Sequence, residues 1–344
     1  MMRIALSIVA VWGLLLAQSA EGAPLRAKDV AASAKWVVHV DFDAMRDSKL
    51  GAEVREKCLA AENAQKKLKH FQEDTGVDLT KDMHSVTLYD TRFVEHGGVA
   101  IFRAAHIDKK KLVAKLKDKH PDHSTEQHGD VTISTWTEAK GTKHEHHVSG
   151  AFFGADAVLF SRDLKQLKAA VDVLSGKADA LSTESPLAEE APKGTFFLVR
   201  GVGMDKEKTP FKAAVIRKSK QLSYAFGQDG NTVFAQGLLI APSADAADKV
   251  RHVVEGFRAL LQLRFGERDK KWEMLRGLKM AVAGSTIVME WEGNGDDVAK
   301  LIAEHHGKMG QWRDHHTPHG DGPDKKDEQK KGAHRKSAQD DDED

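Results

Sequence analysis

Eighteen histidines are spread unevenly along this 344-residue chain, and they are its most conspicuous chemical resource. Eight lie between His96 and His147 and six between His305 and His334. In Lys143-His144-Glu145-His146-His147 an extended backbone puts His144 and His146 on one face and His147 on the other. Two imidazoles beside a carboxylate suit zinc, copper or nickel, yet a tight site needs a third fixed ligand with supporting hydrogen bonds, and the spacing supplies none. His305, His306, His315, His316 and His319 form a second cluster, loosened by Pro318 and neighbouring glycines. Ordering such a segment on a metal costs conformational entropy, so weak transition-metal binding is the most it supports. The competing expectation is solvated histidine in a charge-rich loop and tail, with no cofactor.

A second pattern is Val37-Val38-His39-Val40-Asp41-Phe42-Asp43, an apolar run closing on two carboxylates one residue apart. It resembles the nucleophile motif of haloacid-dehalogenase-type phosphatases. That resemblance implies Asp41 as nucleophile, Asp43 as general acid and base, and a magnesium ion neutralising the phosphate. It also implies a hydroxyl from Ser161, at the end of Val158-Leu159-Phe160-Ser161, and a metal-holding carboxylate from Asp297 beside Asp296. The chain departs from the family pattern after the motif, where Ala44-Met45-Arg46 stands in place of a small residue and threonine. Ser161 closes a hairpin strand instead of a parallel one, and Gly293-Asn294-Gly295-Asp296 reads as a turn and helix cap. The simpler expectation is that Asp41 and Asp43 cap the following helix. The other common catalytic signatures, GxSxG, HExxH and the phosphate-binding glycine loops, are absent from the sequence.

The elements that must position these residues begin after an N-terminal address. Met1-Met2-Arg3, an apolar run from Ile4 to Leu16 and small residues up to Ala23 read as a secretory signal peptide over 1–22. The run is shorter than the roughly 20 residues a membrane span needs, and no later stretch approaches that length. An exported protein, periplasmic or extracellular, is expected, with no transmembrane segment after cleavage. Cys58 is the one cysteine, so an internal disulfide is excluded, and its place on an apolar helical stripe makes it a core thiol. Lys plus Arg and Asp plus Glu are equal at 52 each, which gives no basic surplus for nucleic acid. The expected partner is an unknown protein or a component of the cell envelope.

Strand and helix patterns alternate twice. Residues 30–177 read as strand, helix, hairpin, helix, hairpin and helix, and residues 194–306 repeat that order after a small, Pro-containing linker over 178–193. Hairpins in place of strand-helix-strand crossovers imply antiparallel sheets, each with helices packed on one face. The fold class is therefore α+β: two similar modules, followed by a disordered His-rich charged tail over 307–344. The segments KWVVHVDFDAMRDSKLG and SGAFFGADAVLFSRDLKQLKAAVDVLSG resemble a group of uncharacterised exported bacterial proteins, planctomycete-type ones among them. The resemblance covers about half of the first module and implies location and architecture without an activity. Together these features imply an exported, non-enzymatic binding or interaction protein.

Overall fold

A computed structural model describes residues 22–60, 62–95, 97–207, 209–211, 213–265 and 276–301. The expected signal segment up to residue 21, the second histidine cluster and the whole expected tail lie outside the described residues. In chain order the first half holds β1 (Trp36–Asp41), α1 (Phe42–Asp47), α2 (Lys49–Ala60), α3 (Glu62–Thr75), β2 (Met83–Asp90), β3 (Val99–Ala104) and α4 (Lys109–Lys119). It continues through β4 (Ser124–His128), β5 (Val131–Glu138), β6 (His146–Phe153), β7 (Ala157–Ser161) and α5 (Leu164–Leu174). The second half holds β8 (Thr195–Val202), α6 (Ala214–Arg217), β9 (Gln221–Asp229), β10 (Thr232–Ile240), α7 (Ala244–Phe265), β11 (Lys279–Ala283), β12 (Thr286–Asn294) and α8 over 295–301.

All the described strands join one 12-stranded antiparallel sheet in the order β11-β12-β10-β9-β8-β1-β2-β3-β7-β6-β5-β4. The expected α+β class with antiparallel pairing is found. The two halves meet at β1 and β8, where Val37 opposes Arg200 and Val38 opposes Val199, so the expected modules share a single sheet. From that seam the paths β1-β2-β3-β7-β6 and β8-β9-β10-β12-β11 run outward in the same order, and β5 and β4 extend the first.

Local chemistry accounts for the elements. Valines at 37, 38 and 40 suit a pleated strand, and Asp41 ends it by capping α1, its Oδ1 accepting from the Ala44 amide at 2.8 Å. Asp163 caps α5 through the amides of Lys165 and Gln166, and Gly176 follows that helix at φ +71°. The helix expected after the opening strand of the second half forms only as the four-residue α6. Strand β4, Ser-Thr-Glu-Gln-His, was not expected, because it carries no apolar residue.

Side chains alternate across the sheet, so the register separates two cores. One face of the first half carries Val37, Tyr89, Ile101 and Leu159 beneath Leu167 and Val171 of α5. The other carries Val40, Val86 and Ala104 beside Phe42, Met45 and Val298. Helices therefore cover both faces of this half, where one covered face was expected. Residues 178–193 join the halves and are also packed: Leu187 is fully buried, and its carbonyl accepts from Arg200 Nη1 at 3.2 Å. On the far side of the seam Gln228 ties β9 to the first half, its Oε1 accepting from the Leu50 amide at 2.8 Å.

Helix α7 is a different case. Its Ala247 packs against the sheet, but Val253, Phe257, Leu260 and Leu263 are 71%, 61%, 65% and 83% exposed. Among the described residues no helix is long and apolar enough to cross a membrane.

Candidate functional site

The candidate phosphatase residues are not brought together. Asp41 is buried at the end of β1 as a helix cap, with burial pushing its carboxyl above the usual range. Asp43 is buried against Arg46 and accepts from His84 Nδ1 at 2.9 Å. Ser161 lies three strands away at the opposite end of β7, roughly 20 Å from Asp41 by strand spacing and rise. Its hydroxyl is committed, donating to the Gly98 carbonyl at 2.7 Å and accepting from the Asp163 amide at 3.0 Å. Asp297 lies in the first turn of α8 in the second half, where its amide donates to Asn294 Oδ1 at 3.4 Å, and neighbouring Asp296 pairs with Lys49. Asp41 caps α1 as expected, whereas Asp43 is engaged by Arg46 and His84 instead of capping.

The histidines are likewise dispersed. His144 sits in the turn before β6, and its carbonyl accepts from His146 Nδ1 at 2.7 Å. Among the described residues no group of three or more His, Cys, Asp or Glu side chains is arranged to hold a metal ion. His305, His306, His315, His316 and His319 fall outside the described residues, as does the side chain of Cys58 in α2.

His39, on β1, is buried next to the seam. Its Nε2 meets the Ala23 carbonyl at 2.9 Å, which can only accept, so Nε2 carries the proton and Nδ1 accepts from the Thr87 hydroxyl at 2.9 Å. Burial holds its pKa down to about 4, against the opposing effect of the Ala23 bond. A neutral imidazole with both nitrogens satisfied pins the N-terminal segment to the sheet.

The conspicuous site is apolar. Between the sheet and helices α3 and α4 lies a cavity of about 360 Å³, within the size range of small-molecule pockets. Its floor is the alternate row of β2, β3 and β7: Leu88, Ala100, Phe102, Val158 and Phe160. Its roof is Phe71 of α3, Ile107, and Leu112 of α4. The gap has a local cause. Helix α4 is lysine-rich and buries none of its residues fully, so Leu112 and Leu116 stay half-buried. It is tied to α3 by Lys115–Asp74 at 2.5 Å, and to the β6–β7 turn by Lys109 donating to the Gly154 carbonyl at 2.5 Å. The roof is thus held by polar links at its rim, with little apolar insertion into the floor.

Aromatic packing stiffens the floor. Phe160 meets Phe102 edge to face at 5.6 Å and Trp136 at 6.2 Å between centroids. Gly150 permits this, because a Cβ there would lie 3.1 Å from the Phe160 ring and 3.2 Å from Trp136. At one end the cavity is closed by Trp36, Gly97 and Gly98, the last at φ +87° with no room for a side chain against the Tyr89 carbonyl.

Most polar groups of the lining are satisfied within the protein. Thr75 donates to the Phe71 carbonyl at 2.8 Å, and Ser161 is bonded as described. Arg162 is the exception. It lines the same end, makes no hydrogen bond or ion pair among the described residues, and has its pKa lowered by burial alone. The sequence reading missed this cavity. Its signal was there in Val99-Ala100-Ile101-Phe102 and Ala157-Val158-Leu159-Phe160, strands apolar on both faces when one face has only a polar helix to cover it.

No protein-family model matches the chain, and no curated protein matches it. Solved structures that superpose on it include crystal form III of TP0453, with a TM-score of 0.43 at 10% identity over 82% of this chain and 99% of that one. Crystal form I of TP0453 gives 0.41 at 9% identity over 82% and 98%. Both likenesses are distant in identity and in superposition. Fold and cavity together define an α+β chain built on one antiparallel sheet, with an apolar pocket on one face of its first half.

Proposed function

We propose that this chain is an exported, non-enzymatic binding protein that holds an apolar ligand between its sheet and helices α3 and α4. The observation that carries the reading is the cavity itself, about 360 Å³ of space with an almost wholly apolar lining in a protein interior that is ordinarily close-packed. Leaving such a space unfilled forfeits dispersion contacts along its whole lining, and a ligand restores them. The N-terminal segment with signal-peptide character supports export, and the matching strand paths of the two halves support an origin by duplication. The pocket lies in the first half.

The test is binding of a fluorescent apolar probe to the purified chain, together with native mass spectrometry of the protein as isolated. One probe per chain, displaced by long-chain hydrocarbon derivatives, is the expected result. The exposed stripe of α7 is a second place for such a probe, so the measurement is repeated on Phe257→Ser/Leu260→Ser, which must bind as the parent does. Binding that disappears in that variant, or no binding to either protein, overturns the reading.

A further inference from the structure

We infer that the ligand is a single-chain amphiphile with an acidic head, a long-chain carboxylate whose head group pairs with Arg162; this rests on the apolar-ligand reading above.

The cavity is elongated along the strands. Its floor runs from Gly98 to Ala104, a length of roughly 20 Å at the rise of a β-strand. One end, at Met83, Ala104 and Ile107, is apolar; the other holds Arg162. A ligand that matches this must be long, apolar over most of its length and anionic at one terminus.

Arg162 shares its corner of the fold with other charged groups. Two carboxylates belong to the same corner, Asp90 and Asp163, and both are turned to a different cation. Arg92 Nη2 lies 3.0 Å from Asp163 Oδ2, and Arg92 Nε lies 3.7 Å from Asp90 Oδ1. Asp163 additionally caps α5, and Asp90 accepts from the Arg92 amide at 3.1 Å. Asp90 is buried behind Gly97, outside the lining, with Oδ1 toward Arg92 and Oδ2 without a hydrogen-bond partner among the described residues. That leaves Arg162 as the one uncompensated charge facing the cavity among the described residues. A guanidinium in this position offers a planar fork of donors, the geometry that pairs with a carboxylate through two parallel bonds. A half-buried cation with no partner is costly on its own, and an anionic head group removes that cost. Arg162 directly follows β7 and lines the cavity together with Phe160 and Val158 of that strand.

The experiment compares a long-chain fatty acid with its methyl ester, the matching alcohol and a single-chain glycerol phosphate, each displacing the apolar probe from the full mature chain at pH 8. The parent protein is expected to bind the acid about 10- to 100-fold more tightly than the ester or alcohol, the range for a hydrogen bond to a charged group. Arg162→Ala should erase that preference while leaving ester affinity within about twofold, and Arg162→Lys should keep part of it. Arg162 is partly exposed and makes no hydrogen bond or ion pair among the described residues, so both variants are expected to fold as the parent does. Equal binding of acid and ester by the parent, or a preference that survives Arg162→Ala, overturns the inference and leaves the apolar-ligand reading standing. Tighter binding of the phosphate than of the carboxylate overturns the choice of head group. Failure of every ligand overturns both.

Discussion

Filling the cavity from within should stabilise the protein and disable it together. Ala100 stands in the floor, opposite Leu88 on one side and Phe160 on the other. Ala100→Leu adds three carbons directed into a space of about 360 Å³, more than enough to admit them without displacing the roof. At about 0.8 kcal/mol per carbon removed from water the gain is about 2.4 kcal/mol, less about 0.5–1 kcal/mol for the rotamer freedom leucine loses. The net expectation is about 1.5 kcal/mol of added stability, or about 2–3 °C in Tm for a folded unit of this size. The added side chain also takes ligand space, so apolar-probe affinity should fall about tenfold or more. Differential scanning calorimetry and probe titration on the same preparation read both quantities. Destabilisation by 1 kcal/mol or more would mean that the leucine meets packed atoms and the space is not there. Stabilisation with unchanged affinity would place the ligand elsewhere.

Other perturbations test the parts that hold the pocket in place. His39 titrates near 4 when folded and near 6.5 when unfolded, so between those values the unfolded chain binds the extra proton and stability falls as pH falls. The expected loss is about 3 kcal/mol from pH 6.5 to 4. The raised carboxyl of Asp41 has the opposite slope, favouring the folded state at the acid end, so the term is read as the difference between parent and His39→Gln in urea melts across that range. An imidazole NMR signal for His39 that titrates near 6.5 would contradict the assignment. Asp29, buried near the N-terminus, accepts from Arg103 Nε at 3.0 Å and Nη2 at 2.8 Å; Asp29→Ala should cost about 3 kcal/mol in urea unfolding, with Arg103→Met/Asp29→Leu recovering most of it. Gln228→Ala should cost about 1–2 kcal/mol by stranding the buried Leu50 amide, and a neutral effect would show that water replaces the contact. Phe257→Ser/Leu260→Ser should leave the melting temperature within about 1–2 °C, since exposed sites change stability by about 0.5 kcal/mol or less, and should lower self-association in sedimentation.

How far the sequence led can be judged element by element. The hairpins β2–β3, β6–β7, β9–β10 and β11–β12 were legible, because each pairs locally and carries turn glycines such as Gly154, Gly230 and Gly284 at positive φ. The cap at Asp163 and the stripe of α5 were legible for the same reason. The union of the halves was not: β1 and β8 pair across most of the first half of the chain, and nothing in Val37-Val38-His39-Val40 or Phe197-Leu198-Val199 names the partner strand. Polar β4 gave no pattern to read, since it is held at the sheet edge by β5 and not by burial. At the site, the aspartates drew attention by their spacing, and the structure employs Asp41 as a cap and Asp43 as a partner for Arg46. The cavity escaped because no residue in it is chemically distinctive. Arg162 is distinctive only for lacking a neighbour, a property that spacing along a chain does not express.

The β1–β8 seam has a consequence for how the chain can be divided. Each half borrows its neighbour's strand at that edge, and the core around Val40 and Phe42 is completed by Phe196, Val233 and Val298 from the second half. Cutting the chain within 178–193 therefore separates two fragments that each expose an unpaired strand edge and an open core, and each should be aggregation-prone alone. Mixed, they have every strand and side chain needed to rebuild the sheet. Recovery of probe binding on mixing would make the seam an engineered switch, with the pocket formed only when both pieces are present.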